Sequence, residues 1–211
     1  MDGLGEEIRT DKDIDRVLAL AFASLVAVSL YSALISDGFL LKIEVASSIP
    51  LNALPAVFFW TREPARESTR RGEIIIPAMS AVLPFLAMNN ATVLGTPYTF
   101  SFGFAIALLG AALSIYSFLH LRRSFAIMPA VRTVVTSGPY GIIRHPLYLG
   151  ELIYATGMVM LAFNLLSVLL LALSVVVLGL RINIEERKLM RYPEYERYAG
   201  KVRFRMIPPL F

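Results

Sequence analysis

The stretch GPYGIIRHPLYLGELIYATG, residues 138–157, sets an arginine, a histidine and a proline at the mouth of an apolar run that carries a glutamate five residues after the proline. Pro146 has no backbone N–H to donate and suits the first turn of a helix, so a helix is expected to start there with His145 just outside it. The next N–H groups then lack intrahelical partners, an arrangement that attracts anions. Arg144 and His145 add positive charge at that end, which suits a carboxylate or phosphate and equally suits anchoring at a membrane surface. Tyr148 and Tyr154 fit an interfacial aromatic belt. Glu151 lies one turn inside the helix, where a carboxylate in lipid is costly unless it is paired or faces a wet cavity.

Outward from this stretch, 56% of the 211 residues are hydrophobic and only 17% are charged, which places the chain in a bilayer. There is no cysteine, which excludes thiolate catalysis, disulfides and Cys-ligated metals, and two histidines make a poor metal centre, so no metal is expected. The opening MDGLGEEIRTDKDIDR, residues 1–16, lacks the basic start and small-residue cleavage site of a signal peptide, so Val17 onward reads as a retained span. The net charge of +4 is assigned to the cytoplasmic membrane face, with no nucleic-acid partner expected.

Apolar runs occur at Val17 to Ser36, Val45 to Trp60, Ile74 to Leu94, Tyr98 to Leu119, Leu147 to Phe163 and Leu165 to Leu180. The expected fold is therefore all-α and polytopic, with about six transmembrane helices. Both termini are placed in the cytoplasm, so residues 1–16, 61–73, 120–146 and 181–211 lie inside and hold 19 of the 20 Lys and Arg, leaving out only Lys42. Merging the last two runs would send the basic tail outside, against the positive-inside rule. The reading is a tight helical hairpin turning near Asn164, each arm about 24 Å long at 1.5 Å per residue and extended by a polar inner end. The whole chain, 1–211, reads as a single membrane domain, with helices before residue 120 and the chemistry in residues 121–211.

The far end of the hairpin reads RINIEERKLMRYPEYERYAGKVRFRMIPPLF, residues 181–211. If the last helix continues past Arg181, that residue and Glu185 share a face four residues apart, while Glu186 turns about 100° away. One carboxylate can then pair with Arg181 while the other points elsewhere. Taken alone, such a run is a solvated interfacial helix. The hairpin brings it back beside Arg144 and His145, which makes one candidate pocket of the two ends.

In these residues the chain resembles the isoprenylcysteine carboxyl methyltransferase family, in its bacterial members particularly, and more distantly the phospholipid methyltransferases. The shared elements are GPYGIIRHPLYLGE (138–151), the apolar hairpin, EERKL (185–189), YPEYERY (192–198) and the basic stretch ending in IPP (207–209), together covering roughly residues 120–211. The resemblance implies S-adenosylmethionine as cofactor, bound without a Rossmann domain between the His145 segment and the paired glutamates. By position, His145, Tyr148, Gly150, Glu185 and Glu186 match the family's cofactor motif, and Arg181 matches an arginine four residues before the glutamate pair; with Tyr140, Arg144 and Pro146 the five make up the expected cofactor-binding set. No glycine-rich dinucleotide fingerprint follows a strand in the sequence. The cofactor's cationic groups suit Glu185 or Glu186, and its carboxylate suits Arg144, His145 and the helix start.

Methyl transfer from a sulfonium asks mainly for alignment and exclusion of water. A carboxylate acceptor is already deprotonated and needs a cation to position it, for which Arg181 is the expected residue; an amine acceptor needs a base, such as Glu151, Glu185 or Glu186. The expected catalytic residues are therefore Arg181, Glu185 and Glu151. The acceptor is expected to be a lipid-soluble isoprenylcysteine-like or isoprenoid carboxylate entering sideways from the bilayer, in a bacterial inner membrane. The alternatives are N-methylation of a phospholipid head group, an NADPH-dependent sterol or enone reductase, whose family often has an acidic residue at the position of Glu151, and a non-enzymatic membrane subunit. In eukaryotic members of the methyltransferase family that position is commonly not acidic.

Overall fold

The computed structural model describes residues 3–35, 49–57, 60–61, 75–89, 97–121, 134–161 and 163–209. Its elements are α1 (Gly3–Ile35), α2 (residues 49–57), α3 (Ile75–Asn89), α4 (Pro97–Leu121), a 3-10 turn (Gly138–Gly141), α5 (Pro146–Leu161), α6 (Leu165–Leu189) and α7 (Pro193–Lys201). Among the described residues there is no strand, so the all-α expectation holds. Two stretches, Ser101–Leu121 and Leu165–Leu189, are long and apolar enough to cross a membrane, and shorter apolar helices lie at Arg16–Tyr31, Ile75–Met88 and Pro146–Leu161. The expected second run, residues 45–60, falls partly outside the described residues, as do Lys42 and residues 122–133.

α1 begins at Gly3 and runs for 33 residues, so the apolar run expected from Val17 is the second part of a longer helix. Hydropathy marks only the apolar part of a helix, and residues 3–16 ahead of it carry no proline to end one. α6 departs in the anticipated sense: it continues eight residues past Arg181 to Leu189 as a polar extension of its apolar run. Its start is fixed by Asn164, an extended N-cap whose side chain accepts from the Ser167 N–H at 2.8 Å. Arg187 and Lys188 in its last turn oppose the negative end of the helix dipole.

Exposed Leu165, Leu169, Leu173, Val176 and Leu180 recur at helical spacing along α6. Such a stripe would be costly in water and is expected against lipid chains. In lipid, close packing rather than hydrophobic burial holds helices together. α4 and α5 pack antiparallel along small residues: a Cβ added to Gly110 would meet the backbone of Tyr154 and lie 2.7 Å from the Gly150 carbonyl oxygen, and one added to Gly157 would meet the backbone of Ala107. α3 runs along α6, and the two pairs join through lighter α3–α5 and α5–α6 contacts. Phe118, Leu147, Tyr148, Ile182 and Met206 form the core that ties α4, α5, α6 and the tail together at one end. Gly138 has φ +59° and lies against the His120 ring, so both backbone and space favour glycine where the chain turns toward α5.

Candidate active site

Arg144, His145 and Arg205 converge on Glu186, whose side chain is 3% exposed. Arg144 Nη2 donates to Oε2 at 3.0 Å, and its Nε lies 2.7 Å from Oε1 in an ion-pair contact off the hydrogen-bonding direction. Arg205 Nε donates to Oε2 at 2.8 Å and His145 Nε2 lies 3.1 Å from Oε1. An ionised carboxylate only accepts, so this His145 nitrogen carries its proton. Burial by itself pushes the Glu186 pKa up, but the His145 hydrogen bond and the charges of His145, Arg144 and Arg205 outweigh it and hold the carboxyl below its ordinary value.

The C-terminal tail is part of this arrangement. The N–H groups of Arg144 and His145 donate to the carbonyls of Phe204 and Arg205 at 3.0 and 2.8 Å. Tyr198 donates to the Tyr140 carbonyl at 2.7 Å, and Arg205 Nη1 reaches Asn183 at 3.0 Å. Tyr195, Tyr198 and Ala199 on the buried side of α7 complete the contact. Burial, then the Glu186 charge, pushes the Tyr195 pKa far up, so its hydroxyl stays a neutral donor.

One helical face away, Tyr148 donates its phenolic proton to Glu185 Oε2 at 2.7 Å. Its ring stacks on His145, with centroids 5.4 Å apart and planes 7° from parallel. Arg181 Cζ lies 4.5 Å from the Tyr148 ring centroid, and Arg181 Nη1 donates to Ser80 Oγ of α3 at 2.9 Å. Glu151, one turn further along α5, is exposed and interacts electrostatically with Arg181. The Tyr140 hydroxyl is buried without a hydrogen-bond partner among the described residues, and both Glu185 and Glu151 act on it electrostatically. Burial, with Glu185 next, pushes its pKa far up, so it remains a donor. The result is a half-buried carboxylate, an unpaired phenol and a buried guanidinium gathered around one aromatic ring.

The structure thus brings together Tyr140, Tyr148, Glu151, Arg181 and Glu185, and beside them Arg144, His145 and Glu186. Pro146 opens α5 as expected. Three of these placements were not legible in the sequence. Arg144 and His145 are engaged by Glu186 and the tail rather than turned toward a free anion, because Glu186 points to their side of α6. Glu185 accepts from the Tyr148 hydroxyl, and Arg181 reaches Ser80 on α3. Gly150 faces α4, where an added Cβ would lie 2.5 Å from Ser114 Oγ. Sequence reading missed Ser80, Tyr195, Tyr198 and Arg205. The three tail residues lie in the quoted YPEYERY and basic stretches, whereas Ser80 carries no local signal.

The described residues form an all-helical arrangement with two stretches long and apolar enough to cross a membrane, and with a charged cluster where α5, α6 and the tail meet. Residues 103–191 match the model of the isoprenylcysteine carboxyl methyltransferase family, which bears out the resemblance carried by the motifs. The match covers 89 of the 211 residues and points to a membrane methyltransferase of that type. It starts in α4, earlier than the motifs alone reached, and ends before YPEYERY. No curated protein matches the chain significantly.

Proposed function

We propose that the protein transfers a methyl group from S-adenosylmethionine to the carboxylate of a lipophilic acceptor, in the manner of an isoprenylcysteine or isoprenoid carboxyl methyltransferase. The observation that carries this reading is the cluster at Tyr148, where Glu185 and Arg181 meet one ring from α6 while Tyr140 leaves a buried hydroxyl unpartnered. That donor set fits the cofactor: Glu185 suits an ammonium and the Tyr140 hydroxyl suits a carboxylate oxygen. S-adenosylmethionine supplies the methyl group as an electrophile on sulfur when bound.

The protein's own residues hold and align. Tyr148 fixes the Glu185 carboxylate, and His145, itself fixed by Glu186, supports the Tyr148 ring. Arg181 positions the acceptor carboxylate, which is ionised well above its usual pKa of about 4 and needs no base. One acceptor oxygen would take the methyl carbon as the carbon–sulfur bond breaks, its electron pair returning to sulfur to give neutral S-adenosylhomocysteine, and no proton would move. Glu151 lies beside Arg181 and completes the catalytic set. The cofactor-binding set keeps Tyr140, Tyr148 and Glu185 in contact and Arg144, His145, Pro146, Gly150 and Glu186 in support.

The accompanying topology is six spans in a bacterial inner membrane, with both termini cytoplasmic and the site at the cytoplasmic interface. Water-soluble cofactor then enters from one side and a lipid-linked acceptor from the bilayer. Exposed Glu151 favours one second reading, N-methylation of a phospholipid amine with Glu151 as base.

Membranes containing the protein, incubated with methyl-labelled cofactor and a prenylated cysteine acceptor, test the assignment. Lipid-extractable label released as methanol by mild base identifies a methyl ester. Base-stable label transfers the role to Glu151 and an amine, and no protein-dependent label removes the methyltransferase reading.

A further inference from the structure

We infer that Ser80 of α3 is a positioning residue that aims Arg181 at the acceptor, so that a helix outside the family-matched segment completes the catalytic site; this rests on Arg181 holding the acceptor carboxylate. Arg181 is only 4% exposed, so its guanidinium donors need acceptors inside the protein. Ser80 Oγ accepts from Nη1 at 2.9 Å across a sequence separation of 101 residues.

The direction of this bond is fixed by a second one. Ser80 donates its own proton to the Pro77 carbonyl at 2.7 Å, which leaves its oxygen lone pairs for the guanidinium. Pro84, four residues on, has no N–H to give the Ser80 carbonyl, so the residue that meets Arg181 sits at a turn of α3 released from its helical hydrogen bond. Ser80 is itself buried, and Tyr148 meets the guanidinium through its ring face. α3 and α5 therefore hold Arg181 between a hydroxyl and a π-face. Without the hydroxyl the guanidinium keeps its ring contact and loses its bond to α3.

The test is a cycle of Ser80→Ala, Arg181→Ala and the double variant, with Ser80→Thr as the conservative control, read by turnover, S-adenosylhomocysteine affinity and melting in detergent. Ser80→Ala should lower kcat roughly tenfold, the size of one hydrogen bond to a charged group. Cofactor-product affinity should stay within about twofold, below the scale of one lost hydrogen bond. Ser80→Thr should restore most of kcat, and Ser80→Ala should add nothing once Arg181 is alanine. Additive losses, or equal losses of kcat and affinity, overturn the proposal. Coupling in melting with kcat unchanged overturns the positioning role while leaving cofactor binding intact. If the wild type transfers no methyl group, the function reading fails by itself, and additive melting losses would still overturn the Ser80–Arg181 link.

Discussion

The Tyr148 hydroxyl donates to Glu185 at 2.7 Å, joining the first turn of α5 to the polar end of α6 across the hairpin that turns at Asn164. Thirty-seven residues of chain are closed by this one contact, and the Tyr148 ring carries Arg181 and His145 on it.

Tyr148→Phe removes the donor and keeps the ring. S-adenosylhomocysteine affinity should fall roughly five- to tenfold as Glu185 loses its anchor, with a modest drop in melting temperature because the same bond ties α5 to α6. Tyr148→Ala should lose turnover as well, because Arg181 and His145 lose their support. Calorimetry on both variants checks the split.

The two adjacent glutamates should behave differently. Glu185→Gln should weaken cofactor binding with the fold intact. Glu186→Gln should destabilise by roughly 3–5 kcal/mol, since Arg144 and Arg205 would keep their charges without a counter-ion. Melting and binding measured on the same preparations separate these roles; equal loss of binding at unchanged stability in both would return Glu186 to the cofactor.

Glu186 also sets an acid limit. Its folded pKa lies below that of an unfolded carboxyl, so its stabilisation is complete above the unfolded value of about 4.3 and is lost as pH falls through the depressed folded value. The melting temperature of the wild type should drop below that point more steeply than that of Glu186→Gln. Parallel profiles would contradict the ion cluster.

Much of this was legible in the sequence. Arginine placement and Asn164 located the hairpin, and the hairpin brought EERKL beside RHPLY. Which partner each residue meets was not legible: Glu185 takes the Tyr148 hydroxyl, Glu186 takes Arg144, His145 and Arg205, and Gly150 lies against Ser114 of α4. The start of α1 was hidden because polar residues form helix without leaving a hydropathy signal. Ser80 was hidden because a contact over a hundred residues away leaves no local pattern.

The α4–α5 seam gives a prediction free of any assumption about activity. Gly110→Ala places a Cβ against the Tyr154 backbone, where no flexible side chain can yield, and should sharply reduce folded protein recovered in detergent. Gly179→Ala meets nothing within 4 Å in α6 and should be neutral or slightly stabilising. Size-exclusion recovery of the two variants compares them directly.

The central claim is a cofactor site at Tyr140, Tyr148 and Glu185, and titration calorimetry of the detergent-purified protein with S-adenosylhomocysteine, and separately with NADPH, tests it most directly. The account predicts saturable binding of the first, weakened in Glu185→Gln, and none of the second. Binding of NADPH alone would make the protein a reductase centred on Glu151 and the tyrosines, and binding of neither would contradict an enzymatic site at this cluster.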